Sequence, residues 1–184
     1  MTVPEGYEWH SIIRWGDPLF KRSPEFDAQK QTARKQAEQF GYNCDYLDII
    51  VDKYSGRTGV LVANHEYTNE DMMFDADWFE SNKDEARRIA MNAHGFSVVE
   101  VSRKKNDKKW TYVQGGERNR RITLQIEFTV DGPAAGSDLL KTAADRTGTK
   151  ILGTLNNCAG GTTPWGTVLS GEENVDQYFR GRGT

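Results

Sequence analysis

Arg121-Ile122-Thr123-Leu124-Gln125-Ile126-Glu127-Phe128-Thr129-Val130 alternates polar and apolar side chains at every position. A period of two places each set of side chains on one face of a β-strand. Asp131-Gly132-Pro133 follows with turn-forming residues. The stretch predicts one continuous strand and points to a mainly β fold.

Shorter runs of strand-forming residues lie on both sides of this stretch. Apolar runs bounded by polar turns predict strands over 46–51, 59–66, 96–101, 109–113, 149–155 and 165–170. The turn-like link between the first two predicts a β-hairpin. Short strands joined by polar turns predict an antiparallel meander, and a sandwich, a barrel and a propeller are all compatible with it.

Two segments have helical spacing instead. Apolar residues between Phe26 and Phe40 recur on one helical face, which predicts a helix over residues 26–40 that ends before Gly41. A second helix is predicted over residues 77–92, with Trp78 and Ile89 among its apolar residues. The expected architecture is therefore mainly β with two inserted helices.

Bulk composition excludes several classes of protein. The chain has 184 residues, 36% hydrophobic content and a formal net charge of -3, so it can build a core and lacks the basic footprint of a nucleic-acid-binding protein. No run of eighteen apolar residues predicts a membrane span. Met1–Pro4 does not begin a signal peptide.

Cys44 and Cys158 are expected to be free thiols rather than a disulfide.

The segment 155–174 (LNNCAGGTTPWGTVLSGEEN) concentrates potential metal ligands on a tightly turning backbone. Cys158 as a thiolate suits a transition metal, whereas the carboxylates of Glu172 and Glu173 and the amide oxygen of Asn157 suit calcium, magnesium or ferric iron. Adjacent strand residues face opposite ways, so one of the two glutamates is expected to reach a given metal. The alternative is a buried structural cysteine beside ordinary turns.

Three other groups carry possible chemistry. Glu66 and His65 lie at the end of an apolar strand, where they are either metal ligands or a polar strand end. The run Arg118–Arg121 is either a phosphate site or a solvated basic turn. Asn43 and Asp45 are either oxygen ligands or part of a turn into a strand.

The sequence from Asn156 to Thr167 (NNCAGGTTPWGT), followed by GEEN at 171–174, resembles the signature of the PhoX family of alkaline phosphatases. Further blocks resemble the family in the same order along the chain. These are FGYN (40–43), VANHEY (62–67), AHGFSVVEV (93–101), NRRIT (119–123) and GPAAG (132–136). The resemblance therefore covers nearly all of the chain.

The resemblance implies a β-propeller with inserted helices and a phosphomonoesterase that uses iron (Fe³⁺) and calcium. Cys158 matches a thiolate that bridges irons. Glu173 is the best match to an iron-binding glutamate, with Glu172 next, and Glu66 is the candidate calcium ligand. The expected substrates are phosphate-ester small molecules. Members are exported by the twin-arginine route, which implies a periplasmic or extracellular location.

The resemblance also implies that residues 1–184 form the N-terminal part of one longer propeller domain, because family members are several times longer. The missing C-terminal part would supply further ligands, so the chain alone is expected to be inactive. Two other functions remain open: a non-catalytic calcium-binding module, and a metal-dependent propeller hydrolase that acts on lactones.

Overall fold

The computed structural model describes residues 2–178, in which three antiparallel sheets dominate. The large sheet contains β1 (Cys44–Val51), β2 (Thr58–His65), β3 (Gly95–Ser102), β4 (Thr111–Tyr112) and β5 (Arg120–Ile122). The two small sheets are the pairs β6 (Ile126–Thr129) with β7 (Lys150–Gly153) and β8 (Asn157–Thr162) with β9 (Val168–Glu172).

β3 is the central strand of the large sheet. β2 pairs with one of its edges along the whole length, while β4 and β5 share the other edge. Burial alternates at every residue of β3, with Val99 and Val101 buried and Val98 half-buried. This period of two is what a strand with one face on the core requires.

The main core lies on one face of this sheet. Because side chains alternate between the faces, the inward residues of β2 and β3 meet the segment before β1. The fully packed cluster consists of Leu19, Phe40, Leu61, Ala63, Val99 and Val101. Burying each large apolar side chain contributes roughly 1.5–3 kcal/mol.

Four α-helices occur within residues 2–178: α1 (Ala33–Gln36), α2 (Glu70–Met73), α3 (Ala76–Ser81) and α4 (Lys83–Ala93). The segment predicted as one helix over 77–92 is helical, but Asn82 divides it into α3 and α4, so the structure has more than the two helices expected. The apolar face of α4 packs on α2 and α3 through a second core cluster. The buried members of this cluster are Met73, Phe74, Ala86, Ile89 and Ala93.

The prediction of a continuous helix over residues 26–40 is wrong. The segment contains a 3-10 turn at Ala28–Lys30 and then the four residues of α1. The Asp27 and Thr32 side chains accept hydrogen bonds from the main-chain amides of Gln29 and Lys35. Short polar side chains that bond nearby amides in this way begin separate helical turns and compete with one long helix.

The predicted strand over 121–130 is also divided. β5 ends at Ile122, and a turn in which the Ile126 amide donates to the Thr123 carbonyl leads into β6 of a different sheet. Conversely, the segment around Cys158, expected to be a turning loop, forms β8 of a hairpin. The alternation of polar and apolar residues predicted strand conformation, but it could not predict which sheet each strand joins.

The mainly β fold class and the β1–β2 hairpin are confirmed. The propeller arrangement stays a prediction. No helix within residues 2–178 has both the length and the apolar character needed to cross a membrane.

Arg121 on β5 is buried and joins several elements. Its guanidinium donates to the main-chain carbonyls of Gln39, Asn92, His94, Phe96 and Ile122 at 2.7–3.2 Å. Burial lowers the pKa of Arg121 to about 9, so the side chain is still charged at neutral pH.

We expect Arg121→Met to destabilise the chain by at least about 3 kcal/mol, because several buried carbonyls lose their donor. The free energy of unfolding is measured by urea titration. Arg120→Met, at the exposed neighbouring position, is the control and should cost less than about 1 kcal/mol. Equal losses in the two variants would contradict the proposed role of the buried guanidinium.

Candidate metal centre

Asp45, Glu66 and Cys158 meet at one end of the large sheet. Their potential ligand atoms all lie within 4.8 Å of one another. The Cys158 thiol donates to Oδ2 of Asp45 at 2.7 Å. Asp45 and Glu66 are brought together because Cys44 on β1 pairs with His65 on β2.

Glu173, which follows β9, completes this group. Its carboxyl interacts with both Glu66 and the Cys158 thiol. Its main-chain amide donates to the Asn156 carbonyl at 3.1 Å, which fixes the residue beside the start of β8. We call Asp45, Glu66, Cys158 and Glu173 the acidic thiol cluster.

The cluster concentrates groups that resist ionising together. The hydrogen bond to Asp45 is the main cause that raises the pKa of the Cys158 thiol to about 12, followed by desolvation and the effect of Glu173. Burial raises the pKa of Glu66, and the negative charge of Asp45 adds to this. A cation among these atoms would favour the charged forms instead, since opposite charges reverse such shifts. The donor set therefore fits a metal ion.

Local irregularities in the strands help to aim these side chains. The pairing register shifts between Cys44 and Leu47 on β1 and between Asn157 and Gly160 on β8. Bulges of this kind rotate side chains away from the regular alternation. Gly160 is required for close packing, because a Cβ there would lie 2.6 Å from the ring of Tyr46.

The fully buried Asn64 of β2 ties the β8–β9 hairpin to the large sheet. Its Nδ2 donates to the carbonyls of Cys158 at 2.7 Å and Ala159 at 3.3 Å. Its Oδ1 accepts from Ser170 Oγ at 3.0 Å, and Ser170 also accepts from Asn157 Nδ2 at 2.8 Å. The main chain that carries the thiol is thus held directly by β2.

A second contact joins the hairpin to β1. Thr162 Oγ1 on β8 donates to Oδ2 of Asp48 at 2.6 Å and lies 2.8 Å from the hydroxyl of Tyr46. Two polar attachments, one on each strand of the β1–β2 hairpin, therefore set the position of Cys158.

Asn157 and Glu172, both predicted as metal ligands, hold the hairpin together. The Glu172 carboxylate accepts from the Leu155 amide at 2.5 Å, and Asn157 Oδ1 accepts from Thr154 Oγ1 at 2.6 Å. Their roles as ligands stay predictions. The expectation that one of the two glutamates reaches a given metal also stays a prediction; of the two, Glu173 is the one whose carboxyl lies beside the Cys158 thiol.

The arginine run around position 120 has structural partners. Arg118 pairs with Glu100 at 2.8 Å, Arg120 donates to nearby carbonyls, and Arg121 is buried as described above. The solvated-turn interpretation fits Arg118 and Arg120 better than a phosphate site does. Arg121 fits neither alternative, because its partners are main-chain carbonyls.

The two buried histidines also have structural partners. Nε2 of His65 lies 2.8 Å from Ser97 Oγ, and burial holds the pKa of His65 well below its ordinary value. Nδ1 of His94 lies 2.6 Å from the Glu66 carbonyl, so His94 helps to place the residue whose side chain enters the cluster. A ligand role for His65 finds no support in this geometry.

Asp45 is the member of the cluster that the sequence indicates least clearly. Its sequence context, beside Asn43, is equally typical of an oxygen ligand and of a turn into a strand. The predicted β1–β2 hairpin could have indicated Asp45, because a strand that begins at Cys44 places its first residues near the end of β2. The other thiol lies outside this group. Cys44 is an exposed residue, yet desolvation by neighbouring atoms raises the pKa of its thiol to about 11, and the nearby charge of Arg121 opposes that shift.

Comparisons with known proteins identify the family. The family model described as "Alkaline phosphatase PhoX" matches residues 1–183. The chain belongs to the PhoX family. The chain is also similar to a solved structure of Pseudomonas fluorescens PhoX in complex with vanadate, a transition state analogue, with 38% sequence identity and a TM-score of 0.87.

That alignment covers 99% of this chain and 31% of the Pseudomonas fluorescens PhoX chain. The present chain thus spans about a third of the length of this relative. No match is found among curated proteins.

We expect Asn64→Ala to loosen the β8–β9 hairpin, because the Cys158 carbonyl and the Ser170 hydroxyl lose their partner at a cost of about 1–3 kcal/mol. Hydrogen exchange should accelerate at the amides of β8 and β9 and change little in β3. Gln125→Ala, which alters an exposed carboxamide, is the control. Unchanged exchange in β8 would rule out this role of Asn64.

Proposed function

We propose that the whole protein is a metal-dependent phosphomonoesterase and that this chain supplies part of its metal centre. The acidic thiol cluster is the observation that carries the proposal. It joins β1, the end of β2, β8 and the residue after β9, all within a PhoX chain. The vanadate bound by the Pseudomonas fluorescens relative supports a phosphoryl group as the part of the substrate that reacts.

We propose iron and calcium as the metals. The Cys158 thiolate with Glu173 suits ferric iron, and the carboxylates of Asp45 and Glu66 add oxygen ligands that also suit calcium. Bound metal ions would neutralise phosphoryl charge and lower the pKa of an attacking oxygen.

The residues of this chain perform distinct tasks in that proposal. Before a metal ion binds, Asp45 accepts a hydrogen bond from the Cys158 thiol and thereby orients Sγ; metal binding would displace that proton. His94 holds the main chain of Glu66, and Asn64 holds that of Cys158. Ligands kept in place by such contacts bind metal more tightly, typically by 10–100-fold. The groups that contact the substrate are not assigned to residues of this chain.

The two alternative functions make different predictions in the same assays. A lactonase would hydrolyse a lactone and leave a chromogenic phosphomonoester intact. A calcium-binding module would take up calcium, develop no iron colour and hydrolyse neither compound. Family membership favours the phosphatase. We also propose that the whole protein works in the periplasm or outside the cell, as the family resemblance implies.

We expect Cys158→Ser in the full-length protein to reduce iron content and phosphomonoesterase activity by at least about tenfold, because a soft thiolate ligand is lost. Iron is measured by elemental analysis. Cys44→Ser is the matched control, since Cys44 is the chain's other cysteine and lies outside the cluster. Unchanged iron in Cys158→Ser would refute the assignment of the thiol.

We expect the isolated chain to hydrolyse a chromogenic phosphomonoester at least about 100-fold more slowly than the longer Pseudomonas fluorescens PhoX when both are supplied with iron and calcium. It spans 31% of that relative, and a metal centre needs all of its ligands held in place. Light scattering should also detect self-association, because Ile151, Leu152 and Leu169 are exposed on two-stranded sheets. A comparable turnover rate would place the complete site within this chain.

A further inference from the structure

Positive charge is concentrated at the end of the large sheet opposite the acidic thiol cluster. Two loops form this end, the β1–β2 turn and the β3–β4 loop. They contribute seven cationic side chains: Lys53, Arg57, Arg103, Lys104, Lys105, Lys108 and Lys109. The chain as a whole has a net charge of -3, so its charge is distributed asymmetrically.

The two loops are joined into one surface by Arg103. Its main-chain amide donates to the Arg57 carbonyl at 2.9 Å, and its Nη2 donates to the Gly56 carbonyl at 2.7 Å. Its guanidinium also lies over the ring of Trp110, 4.5 Å from the centroid. Arg103 therefore holds the two loops together, so the other cations lie on one connected surface.

Little of this charge is neutralised locally. Lys109 pairs with Glu8 at 3.3 Å, and the Asp52 and Asp107 carboxylates accept main-chain hydrogen bonds in their own turns. Within residues 2–178, the remaining exposed cations have no carboxylate in ion-pair range. We call these residues the basic end: Lys53, Arg57, Lys104, Lys105 and Lys108.

An aromatic side chain projects among these cations. Tyr54, next to Lys53 in the β1–β2 turn, is completely exposed. Tyrosine has an apolar ring and a polar tip, and it is enriched where proteins meet the headgroup region of a bilayer. Single-stranded nucleic acid is usually bound in a groove lined with stacking aromatics, whereas these residues lie on the tips of two protruding loops. The arrangement fits a broad anionic surface better than a strand.

We propose that the basic end docks on an anionic phospholipid surface. The lysine and arginine side chains would contact phosphate headgroups, and the ring of Tyr54 would enter the interface. The eight residues of β1 span roughly 25 Å, so the acidic thiol cluster at the other end would face away from the lipid and stay accessible to solvent.

Vesicle flotation of this chain tests the proposal, because protein that self-associates without lipid does not rise with the vesicles. We expect binding to vesicles of equal parts phosphatidylglycerol and phosphatidylcholine at low ionic strength and no binding to pure phosphatidylcholine. Binding should disappear at about 0.5 M salt, where charge interactions are strongly screened. Equal binding to both kinds of vesicle, or no binding to the anionic vesicles, would overturn the proposal.

Variants locate the contact. The double change Lys104→Glu and Lys105→Glu should weaken binding to anionic vesicles by at least about tenfold, and Tyr54→Ser by about threefold. The matched control reverses two charges on another segment, Lys30→Glu with Arg34→Glu, both at exposed positions. It should change binding by less than about twofold, because salt screens charges that lie far from the lipid surface. Circular dichroism checks that each variant is folded. Equal losses in the two double variants would exclude the basic end as the contact.

A titration with DNA distinguishes an anionic lipid surface from a nucleic acid as the partner of the basic end. Duplex DNA is titrated into the chain under the same low-salt conditions, and weaker binding than to the anionic vesicles is expected. Tighter binding to DNA, abolished by the Lys104 and Lys105 changes, would overturn the lipid proposal in favour of a nucleic-acid partner. None of these measurements depends on metal content or phosphatase activity.

Discussion

Five main-chain carbonyls converge on the buried guanidinium of Arg121, and much of the fold depends on that convergence. The carbonyls come from the segment after α1, the end of α4, β3 and β5. Each is a polar group that would lose water on burial without a replacement partner. A single planar side chain with five donors satisfies elements that are far apart in sequence. Arg121 is therefore a requirement of the packing rather than a recognition group.

The same junction helps to determine where the residues of the acidic thiol cluster lie. Arg121 bonds the carbonyl of His94, and the ring of His94 lies against the carbonyl of Glu66. On the opposite side of the cluster, the Asn64 side chain donates a hydrogen bond to the main-chain carbonyl of Cys158 and so positions this residue of β8. The members of the cluster thus come from separate strands, and buried polar side chains fix their relative positions. Buried networks of this kind rigidify a structure when every member is satisfied.

The β1–β2 hairpin could be predicted from two apolar runs joined by a turn-like link. Sequence periodicity could predict β3, where burial alternates along the strand, and α4, whose apolar face packs on a core. It failed for residues 26–40, where Asp27 and Thr32 cap separate turns. It also failed at Thr123, where a turn transfers the chain between sheets without changing the alternation. These failures share a cause: local side-chain bonds and sheet membership leave no trace in the spacing of apolar residues.

The candidate site shows the same division. The chemistry of Cys158 and the paired glutamates could be predicted from the residue types. The contribution of Asp45 required the pairing of Cys44 with His65, which brings the start of β1 close to Glu66. Burial is the main cause of the raised pKa of Glu66, and the hydrogen bond to Asp45 is the main cause of the raised pKa of Cys158; repulsion by the nearby carboxyl groups adds to both shifts. The framework of Asn64, His94 and Arg121 has to hold these groups together against that repulsion. A bound cation would turn the repulsion into attraction, so metal binding and the stability of this end of the sheet should be thermodynamically linked.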